Sequence, residues 1–318
     1  MRILLVKTSS LGDVVHNLPV VGDLHRHLPQ ARIDWVVEEA FADIPRLHPD
    51  VRNVIPVAVR HWRRNILRRR TCQEIRKFRE NLRAEAYDLV IDTQGLLKSA
   101  LIAAQSRLVV AGRRCGLDRA SVREPIAACF YDNSYAVARD LHAVERNRAL
   151  AAAAAGYTLD TPPDYGLSAT PLMADWLPTR PYAVLLTATS RADKLWPEAD
   201  WIALGRELAA RGQLAVLPAG SREERERAQR IAGQIPHAIV APPLGITPLA
   251  GLLAGAWRVI GVDTGLTHLA AALGRPCVAL FCASEPGLTG VHAGSTAVNL
   301  GHRGRAPDIG SVLTACGD

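Results

Sequence analysis

The sequence predicts an α/β protein made of two doubly wound domains that face each other across a cleft. Short apolar runs rich in β-branched residues alternate with helical patterns along the chain, which is typical of parallel sheets covered by helices on both faces. The alternation stops once, in a segment with five prolines between positions 156 and 181, and then restarts. The 318 residues also exceed the ~100–200 residues of one domain. We therefore predict domains at 1–160 and 182–318, joined by a linker at 161–181.

The elements of the first domain follow from local patterns. Short apolar runs predict its strands, and apolar residues at helical spacing predict its helices. The predicted strands are Ile3–Lys7, Ile33–Val37, Val54–Val57, Leu89–Asp92 and Leu108–Ala111, and the predicted helices are Val14–His27, Glu74–Ala84 and Leu141–Ala155.

The second domain repeats these patterns. Its predicted strands are Ala183–Leu186, Leu214–Leu217, Ile239–Val240, Val259–Val262 and Val278–Phe281. One helix is predicted to open at Pro197, because the first helical turn needs no N–H there, a second begins at Glu223, and a third lies near Leu249. Doubly wound sheets bind ligands at the carboxyl ends of their strands, so the ligand crevice is expected at that edge of both sheets.

Composition limits the class of protein. With 48% hydrophobic and 22% charged residues, the chain can form packed cores and does not resemble a disordered protein. The first apolar run, Ile3–Val6, is too short for a secretory signal, and no run approaches the ~18–20 apolar residues of a membrane span, so a cytosolic protein is expected. The six cysteines include no C-x-x-C pair, so reduced thiols and no zinc site are expected.

The net charge of +7 is concentrated in the first half. Positions 1–160 contain 25 Lys and Arg against 18 Asp and Glu, whereas positions 161–318 contain 13 of each. The run at 60–70 alone has six arginines. This pattern favours an anionic partner, with lipid headgroups, carboxylates or nucleic acid as alternatives to a merely solvated face. Lys98, Arg123 and the segment 142–146 are candidates to extend the same surface.

A hydroxyl- and glycine-rich turn follows the first predicted strand and opens a helix. Its sequence is Lys7-Thr8-Ser9-Ser10-Leu11-Gly12-Asp13-Val14. The backbone amides of this turn are predicted to bind an anion at the mouth of the crevice. Asp13 has two interpretations, either a helix-starting carboxylate favoured by the helix dipole or a general base.

Two strand-to-helix segments of the second domain suit phosphate groups. Thr187–Lys194 places hydroxyls, an arginine and a lysine before a helix, which fits a diphosphate, although a capped loop with solvated charges has the same pattern. Val262–His268 also runs from strand to helix, and Gly265 allows close backbone approach. A second phosphate site is predicted there.

Several other classes are disfavoured. The chain has neither a G-x-G-x-x-G nor a G-x-x-x-x-G-K-[ST] pattern, which argues against a dinucleotide-dependent oxidoreductase and a P-loop ATPase. The triplet Asp263-Thr264-Gly265 occurs once and in βαβ context, whereas an aspartic protease needs two carboxylates that share a proton. The D-x-D arrangement is absent, so we expect no required metal and no cofactor.

Taken together, these motifs resemble the lipopolysaccharide heptosyltransferase I family, which belongs to glycosyltransferase family 9 and has the GT-B architecture of two Rossmann-like domains. The matching segments are Lys7–Val14, Asp34–Glu39, Val54–Val57, Asp92–Gly95, Arg123–Pro125, His142–Arg146, Lys194 with Trp196–Glu198, and Asp263–His268. The resemblance implies an ADP-L-glycero-β-D-manno-heptose donor and a Kdo-modified lipid A acceptor. It also implies a peripheral location on the cytoplasmic face of the inner membrane.

Carried over position by position, the resemblance implies roles for individual residues. Asp13 would be the catalytic base, and Lys194 a catalytic residue that also contacts the donor diphosphate. The other donor-binding residues would be Thr187, Ala188, Thr189, Ser190, Glu224 at the ribose, Asp263, Thr264, Gly265, Leu266 and His268. The acceptor-binding residues would be Ser9, Ser10, Gly12, Arg60, Arg63, Arg64 and Arg123. The chain departs from its relatives at Thr187, where they often have His, and at Cys282–Pro286, where they have Gly-Pro-Thr-Asp-Pro.

The sequence leaves three alternatives to this inverting heptosyltransferase. One is heptosyltransferase II or a related ADP-heptose transferase, which the Trp-Val-Val-Glu-Glu and Lys-Thr-Ser-Ser elements disfavour. Another is a basic nucleic-acid-binding protein, but no binding module is recognisable, and we expect no nucleic acid partner. The third is an enzyme of the same architecture that rearranges nucleotide sugars without an acceptor.

Overall fold

The computed structural model describes residues 1–65, 68–177, 179–292 and 294–317. The chain forms two compact units, Met1–Gly166 and Leu167–Asp318. The division between them falls inside the segment 161–181. Ile66 and Leu67 of the basic run, and Pro178 of the predicted linker, lie outside the described residues.

The first unit contains one parallel sheet. In chain order its elements are β1 (Arg2–Val6), α1 (Leu11–Val15), α2 (Leu18–His27), β2 (Arg32–Glu38), α3 (Asp43–Arg46), β3 (Val51–Val57), α4 (Val59–Arg64), α5 (Arg69–Leu82), β4 (Ala86–Asp92), α6 (Leu97–Gln105), β5 (Arg107–Leu117), β6 (Asn133–Tyr135) and α7 (Ala143–Ala155). The six strands are parallel in the order β3-β2-β1-β4-β5-β6. The direction of strand addition reverses between β1 and β4, which makes this the topological switch point where such sheets bind ligands.

The second unit repeats the design. Its elements are β7 (Tyr182–Leu186), α8 (Glu198–Ala210), β8 (Leu214–Leu217), α9 (Arg222–Ala232), β9 (Ile239–Val240), α10 (Ile246–Gly255), β10 (Arg258–Val262), α11 (Gly265–Ala272), β11 (Cys277–Leu280), α12 (Pro286–Thr289), β12 (Ala297–Leu300) and α13 (Ile309–Cys316). The parallel strand order is β12-β11-β10-β7-β8-β9, with the switch point between β7 and β10. In each unit the strands of one parallel sheet are joined by helical crossovers, which confirms the predicted α/β class.

The central strands are buried because their sequences are apolar at successive positions. All four residues from Ile3 to Val6 have no exposed area, and the same holds for Ala183–Leu185. In the core of the second unit, Trp196 and Trp201 pack edge to face, with ring centroids 5.0 Å apart. These cores hold the strand ends in place, so the loops that follow β1, β4, β7 and β10 project from fixed positions.

The structure corrects one predicted helix. The helix predicted at Val14–His27 is two helices, because α1 ends at Val15 and α2 begins at Leu18. The break follows from Pro19, which lacks the N–H that a continuous helix would bond to the carbonyl of residue 15.

Several elements escaped prediction, and composition explains why. The helix α6 consists mostly of small and apolar residues, so its sequence lacks a polar face. The strands β6 and β12 are short edge strands with exposed polar residues, so they have no continuous apolar signal.

All six cysteines lie in the described ranges, and none of them forms a disulfide. No helix in these ranges is both long and apolar enough to cross a bilayer. The same part of the chain contains no group of three or more His, Cys, Asp or Glu placed to hold a metal ion.

Candidate functional site

The loop between β1 and α1 lies at the switch point of the first sheet, and its backbone amides are already bonded. Gln94 Oε1 accepts hydrogen bonds from the amides of Thr8, at 3.0 Å, and Ser9, at 3.1 Å. The Ser10 amide donates to Asp13 Oδ2 at 2.6 Å. Each of these three amides therefore has an acceptor within the chain, and the predicted binding of an anion by this loop would depend on its other amides.

Asp13 caps the start of α1 through one carboxylate oxygen. Its Oδ2 accepts from both the amide and the hydroxyl of Ser10, the latter at 2.9 Å. In the described part of the chain no hydrogen bond reaches Oδ1. One oxygen thus fixes the carboxylate while the other can accept a proton, so the structural and the catalytic interpretations of Asp13 are compatible. Gly12, also on α1, is partly exposed beside it.

Two lysines border this loop. Lys7 is buried, and its Nζ donates to the carbonyl of Thr93 at 2.9 Å. Lys98 is partly buried and donates to Ser9 Oγ at 2.7 Å. Burial lowers the pKa of both ammonium groups, and the negative charge of Asp13 acts in the opposite direction on each. The loop that carries Asp13 therefore lies in a cationic and partly desolvated environment.

In the second unit, Lys194 and Asp263 form an ion pair just beyond the end of β10. Lys194 Nζ lies 2.6 Å from Asp263 Oδ2, and the two side chains are 19% and 9% exposed. The same carboxylate accepts from the Ser284 hydroxyl, and His268 Nε2 lies 3.5 Å from Oδ1. Burial alone would raise the pKa of Asp263, but hydrogen bonds from His268, Lys194 and Ser284 outweigh it and hold that pKa well below its usual range. Asp263 is therefore ionised and fixes the Lys194 ammonium.

The segment predicted to contact a diphosphate follows β7. Thr189 Oγ1 donates to the carbonyl of Asp263 at 3.0 Å, which ties this segment to the end of β10. Thr187 is buried, and its hydroxyl has no hydrogen-bond partner among the described residues. The accessible surface of the segment therefore begins at Ala188 and continues through Thr189 and Ser190 to Lys194.

The other cation of this segment, Arg191, is paired with its neighbour. Its Nε donates to Asp193 Oδ1 at 3.0 Å, and a second guanidinium nitrogen bonds the other carboxylate oxygen. Both side chains are at least half exposed, and pairs at the surface contribute little. Lys194 is consequently the cation that the fold holds in place.

A cavity that is partly open to solvent lies next to this ion pair along the chain, because Thr264, which follows Asp263, lines it. Its wall includes Ala188 and Thr264, which belong to the two strand-to-helix segments. Apolar walls are supplied by Leu186, Pro218, Pro242, Leu244, Leu249 and Leu266. An apolar slot lined by both strand-to-helix segments suits a flat heterocycle that carries phosphate groups.

Glu224 lies on the wall of the cavity and caps α9. Its Oε2 accepts from the amides of Gly220, at 2.8 Å, and Ser221, at 3.2 Å. The Ser221 hydroxyl in turn accepts from the Glu224 amide, which completes a capping box. Oε1 has no hydrogen bond within the described ranges, so it can accept one from a sugar hydroxyl.

The second predicted phosphate segment forms the start of α11. Thr264 precedes this eight-residue helix, which begins at Gly265. The first amides of a helix have no acceptor within it, and the helix dipole favours an anion there. Thr264, Gly265 and Leu266 are all partly exposed, so this helix start is accessible beside Lys194 and Asp263.

The arginines predicted to bind an acceptor are exposed. Arg60, Arg63 and Arg64 lie on the short helix α4, and the Arg60 amide donates to Glu38 Oε1 at 2.9 Å. Arg123 is exposed in the segment that precedes a short 3-10 helix. Three guanidinium groups on one short helix form a surface suited to phosphates and carboxylates.

Sequence reasoning missed two residues of these sites, Gln94 and Ser284. Gln94 lies two residues beyond β4, in the segment Asp92–Gly95 that carries part of the family resemblance, so its place after a strand was a usable signal. Ser284 lies in the segment Cys282–Pro286, which the resemblance matches to Gly-Pro-Thr-Asp-Pro, so a hydroxyl at this position was a usable signal as well.

The chain has two doubly wound units, and the second has a fixed cation beside an apolar cavity that suits a phosphorylated heterocycle. These features are typical of a glycosyltransferase that uses nucleotide-activated sugars. Residues 75–314 match glycosyltransferase family 9 (heptosyltransferase), and the chain belongs to this family. The family, the fold class and the enzyme class predicted from the motifs are thereby confirmed.

The chain is similar to characterised members along most of its length. It is 49% identical to lipopolysaccharide heptosyltransferase 1 of Pseudomonas aeruginosa over 302 residues, which cover 95% of this chain and 84% of the relative. The corresponding protein of Escherichia coli K12 is 45% identical over 293 residues, covering 91% and 90%. The solved structure of the E. coli heptosyltransferase WaaC with ADP superposes with a TM-score of 0.90 at 40% identity, covering 99% of this chain and 98% of that chain.

Proposed function

We propose that the protein transfers L-glycero-D-manno-heptose from ADP-L-glycero-β-D-manno-heptose to the Kdo of Kdo-modified lipid A, with inversion at the anomeric carbon, in assembly of the lipopolysaccharide inner core. The ion pair of Lys194 and Asp263 beside an apolar cavity carries this proposal, because an ADP-sugar needs a slot for adenine and a fixed cation for its diphosphate. The names of the similar proteins support the sugar and the acceptor.

The donor is assigned to the second unit. Adenine would occupy the apolar cavity, and Glu224 Oε1 would accept a hydrogen bond from a ribose hydroxyl. The diphosphate would lie against the Lys194 ammonium and the start of α11 at Gly265. Negative charge grows on the diphosphate as the bond to the sugar breaks, and a cation already in place stabilises that charge without reorganisation.

The acceptor is assigned to the first unit. Asp13 Oδ1 would take the proton of the Kdo hydroxyl while that oxygen forms a bond to the anomeric carbon of the heptose. The bond from the same carbon to the diphosphate oxygen breaks, and ADP leaves from the opposite side, which inverts the configuration. Ser9, Ser10 and Gly12 border the reacting hydroxyl, and the arginines at 60, 63, 64 and 123 bind the anionic groups of the acceptor.

The protein would bind peripherally to the cytoplasmic face of the inner membrane, where the acceptor lies. The support is the row of exposed arginines on α4 and at the start of α5, since guanidinium groups are attracted to anionic headgroups. We expect the protein to co-sediment with vesicles that contain phosphatidylglycerol and to be released by salt. It should not co-sediment with vesicles of pure phosphatidylcholine.

The decisive experiment is release of ADP from ADP-heptose by the purified protein, with and without Kdo-lipid A, in buffer containing a chelator. We expect release that requires the acceptor, is unchanged by the chelator and yields a product heavier by one heptose in mass spectrometry. Release without acceptor would favour an enzyme that rearranges or hydrolyses the nucleotide sugar. A preference for an already heptosylated core would favour heptosyltransferase II.

A further inference from the structure

Gln94 joins the ends of two neighbouring strands at the switch point of the first sheet. Its side-chain oxygen accepts hydrogen bonds from the consecutive amides of Thr8, at 3.0 Å, and Ser9, at 3.1 Å. These two residues lead directly into Ser10 and α1. We propose that Gln94 is a positioning residue, which clamps the β1–α1 loop so that the Asp13 carboxylate is presented to the acceptor hydroxyl. This proposal rests on the proposed function, in which Asp13 is the base.

The register of the sheet places Gln94 for this role. Val6 of β1 pairs with Asp92 of β4, so Thr8 and Gln94, each two residues further on, emerge side by side. Thr8 and Gln94 are 86 residues apart in the sequence, so the clamp is a long-range contact and not a local turn. Loss of the Gln94 oxygen would disconnect the loop after β1 from the loop after β4.

Gln94 is itself held by a tight turn. The buried carboxylate of Asp92 accepts from the amides of Gln94, at 2.9 Å, and Gly95, at 3.2 Å, and from the Tyr131 hydroxyl at 2.8 Å. Gly95 has a φ of 65°, and a Cβ there would approach a Val122 methyl group to 2.9 Å. The turn therefore fixes the backbone of Gln94, and only the side chain remains to be oriented.

The clamp matters because the loop has no other acceptor for these amides within the described residues. Thr8 is fully buried and Ser9 is 7% exposed, so solvent reaches neither amide readily. A buried amide without an acceptor is costly, and the loop would shift to avoid it. The next amide, that of Ser10, donates to Asp13 Oδ2, so a shift of the loop moves the base directly. Displacement of a reacting group by about 1 Å can lower a rate roughly 100-fold.

Two substitutions separate positioning from general structural support. Gln94→Met keeps the length of the side chain and removes the oxygen, whereas Gln94→Glu keeps an acceptor oxygen in the same place. Gln105→Met is the matched control, because Gln105 on α6 donates only to the carbonyl of Leu101 in the described structure. For each variant we would measure kcat, the KM for both substrates, the Kd for ADP and the hydrogen exchange of segment 7–12.

We expect Gln94→Met to lower kcat between about 10-fold and 100-fold with an unchanged Kd for ADP, and to speed exchange of the Thr8 and Ser9 amides. Gln94→Glu should recover most of kcat and the slow exchange, and Gln105→Met should resemble the parent protein. A Gln94→Met variant with parental kcat would overturn the clamp and leave the proposed function intact. Loss of activity that Gln94→Glu does not recover would also overturn it. A parent protein without acceptor-dependent release of ADP would instead remove the proposed function.

Discussion

The ammonium of Lys194 lies 2.6 Å from the carboxylate of Asp263, although the two residues are 69 positions apart. Ser284 and His268 also approach this carboxylate, so Asp263 stays ionised even when Lys194 donates one of its hydrogen bonds to a ligand. The cation for the diphosphate is thus oriented before the donor binds. Orientation in advance is the feature that lets a charged group stabilise a transition state more than a ground state.

The first prediction concerns the charge of Lys194. Lys194→Met should lower kcat/KM roughly 10²-fold to 10³-fold and weaken ADP binding, because the leaving diphosphate loses a fixed cation. Initial rates and calorimetric titration with ADP would measure the two effects. Lys77→Met, which removes an exposed lysine from α5, should change neither quantity. Parental affinity for ADP in Lys194→Met would place the diphosphate elsewhere.

The second prediction concerns Ser284. Ser284→Ala removes a hydrogen bond to an ionised, largely buried carboxylate, so the free energy of unfolding at pH 7 should fall by about 1.5–3 kcal/mol. The folded-state pKa of Asp263 is depressed, so this stabilisation is present above the unfolded pKa of roughly 3.9 and is lost as the pH falls through the folded-state pKa. The difference between parent and variant should therefore shrink below about pH 4.

Urea denaturation followed by tryptophan fluorescence at several pH values would test whether the stability difference between parent and Ser284→Ala shrinks in acid. Ser311→Ala is a useful comparison, because Ser311 makes the same kind of bond to Asp308 at an exposed helix start. Its effect should be smaller, since solvent replaces the lost bond. A Ser284→Ala difference that grows in acid would contradict the assignment of the stabilisation to ionised Asp263.

The sequence could predict those features of the sites that depend on residues close together in the chain, but not the contacts between distant residues. Asp13 was predicted at a helix start because a hydroxyl- and glycine-rich turn precedes it, and its bond to Ser10, three residues away, is a local contact. Lys194 and Asp263 were each predicted because each follows an apolar run that reads as a buried strand. Their ion pair depends on β7 and β10 being neighbours, and strand order is not written in any local pattern.

The same reasoning explains why the hydrogen bonds of the β1–α1 loop were not predicted. A hydroxyl- and glycine-rich turn at a helix start has the composition of an anion site. Whether its amides are available depends on what another strand brings beside them, and here β4 brings the oxygen of Gln94. Long-range acceptors of this kind have no signature in the sequence of the loop that donates to them.

The third prediction concerns the apolar cavity. Ala188 lines it, so Ala188→Phe should compete with adenine for space. A misfit of about 1–3 kcal/mol corresponds to a Kd for ADP that is weaker by roughly 5-fold to 150-fold. Ala210→Phe, at the exposed end of α8, should leave the Kd unchanged. Unaltered binding in Ala188→Phe would mean that adenine lies outside this cavity.

The fourth prediction concerns a buried ion pair of the first unit. Arg148 and Asp23 are 3% and 5% exposed and are joined by two hydrogen bonds, of 2.8 and 3.1 Å. Arg148→Met leaves the carboxylate buried without its partner, so the free energy of unfolding should fall by about 3–5 kcal/mol. Adding Asp23→Leu should recover much of this loss, because two apolar groups then face each other. In contrast, Arg76→Met breaks an exposed pair with Glu80 and should have little effect.

The fifth prediction concerns the two oxygens of Asp13, which have separate tasks. Asp13→Asn retains a side-chain oxygen that can accept from Ser10, but it cannot accept the proton of the attacking hydroxyl. We expect kcat to fall about 10²-fold to 10⁴-fold while the Kd for ADP and the melting temperature stay near the parental values. Ser10→Ala tests the other oxygen, since it removes one of the two bonds to Oδ2 and should lower kcat far less. If instead Asp13→Asn kept its activity and Ser10→Ala lost it, Asp13 would be a helix cap only, and the base would have to be sought among other groups of the first unit.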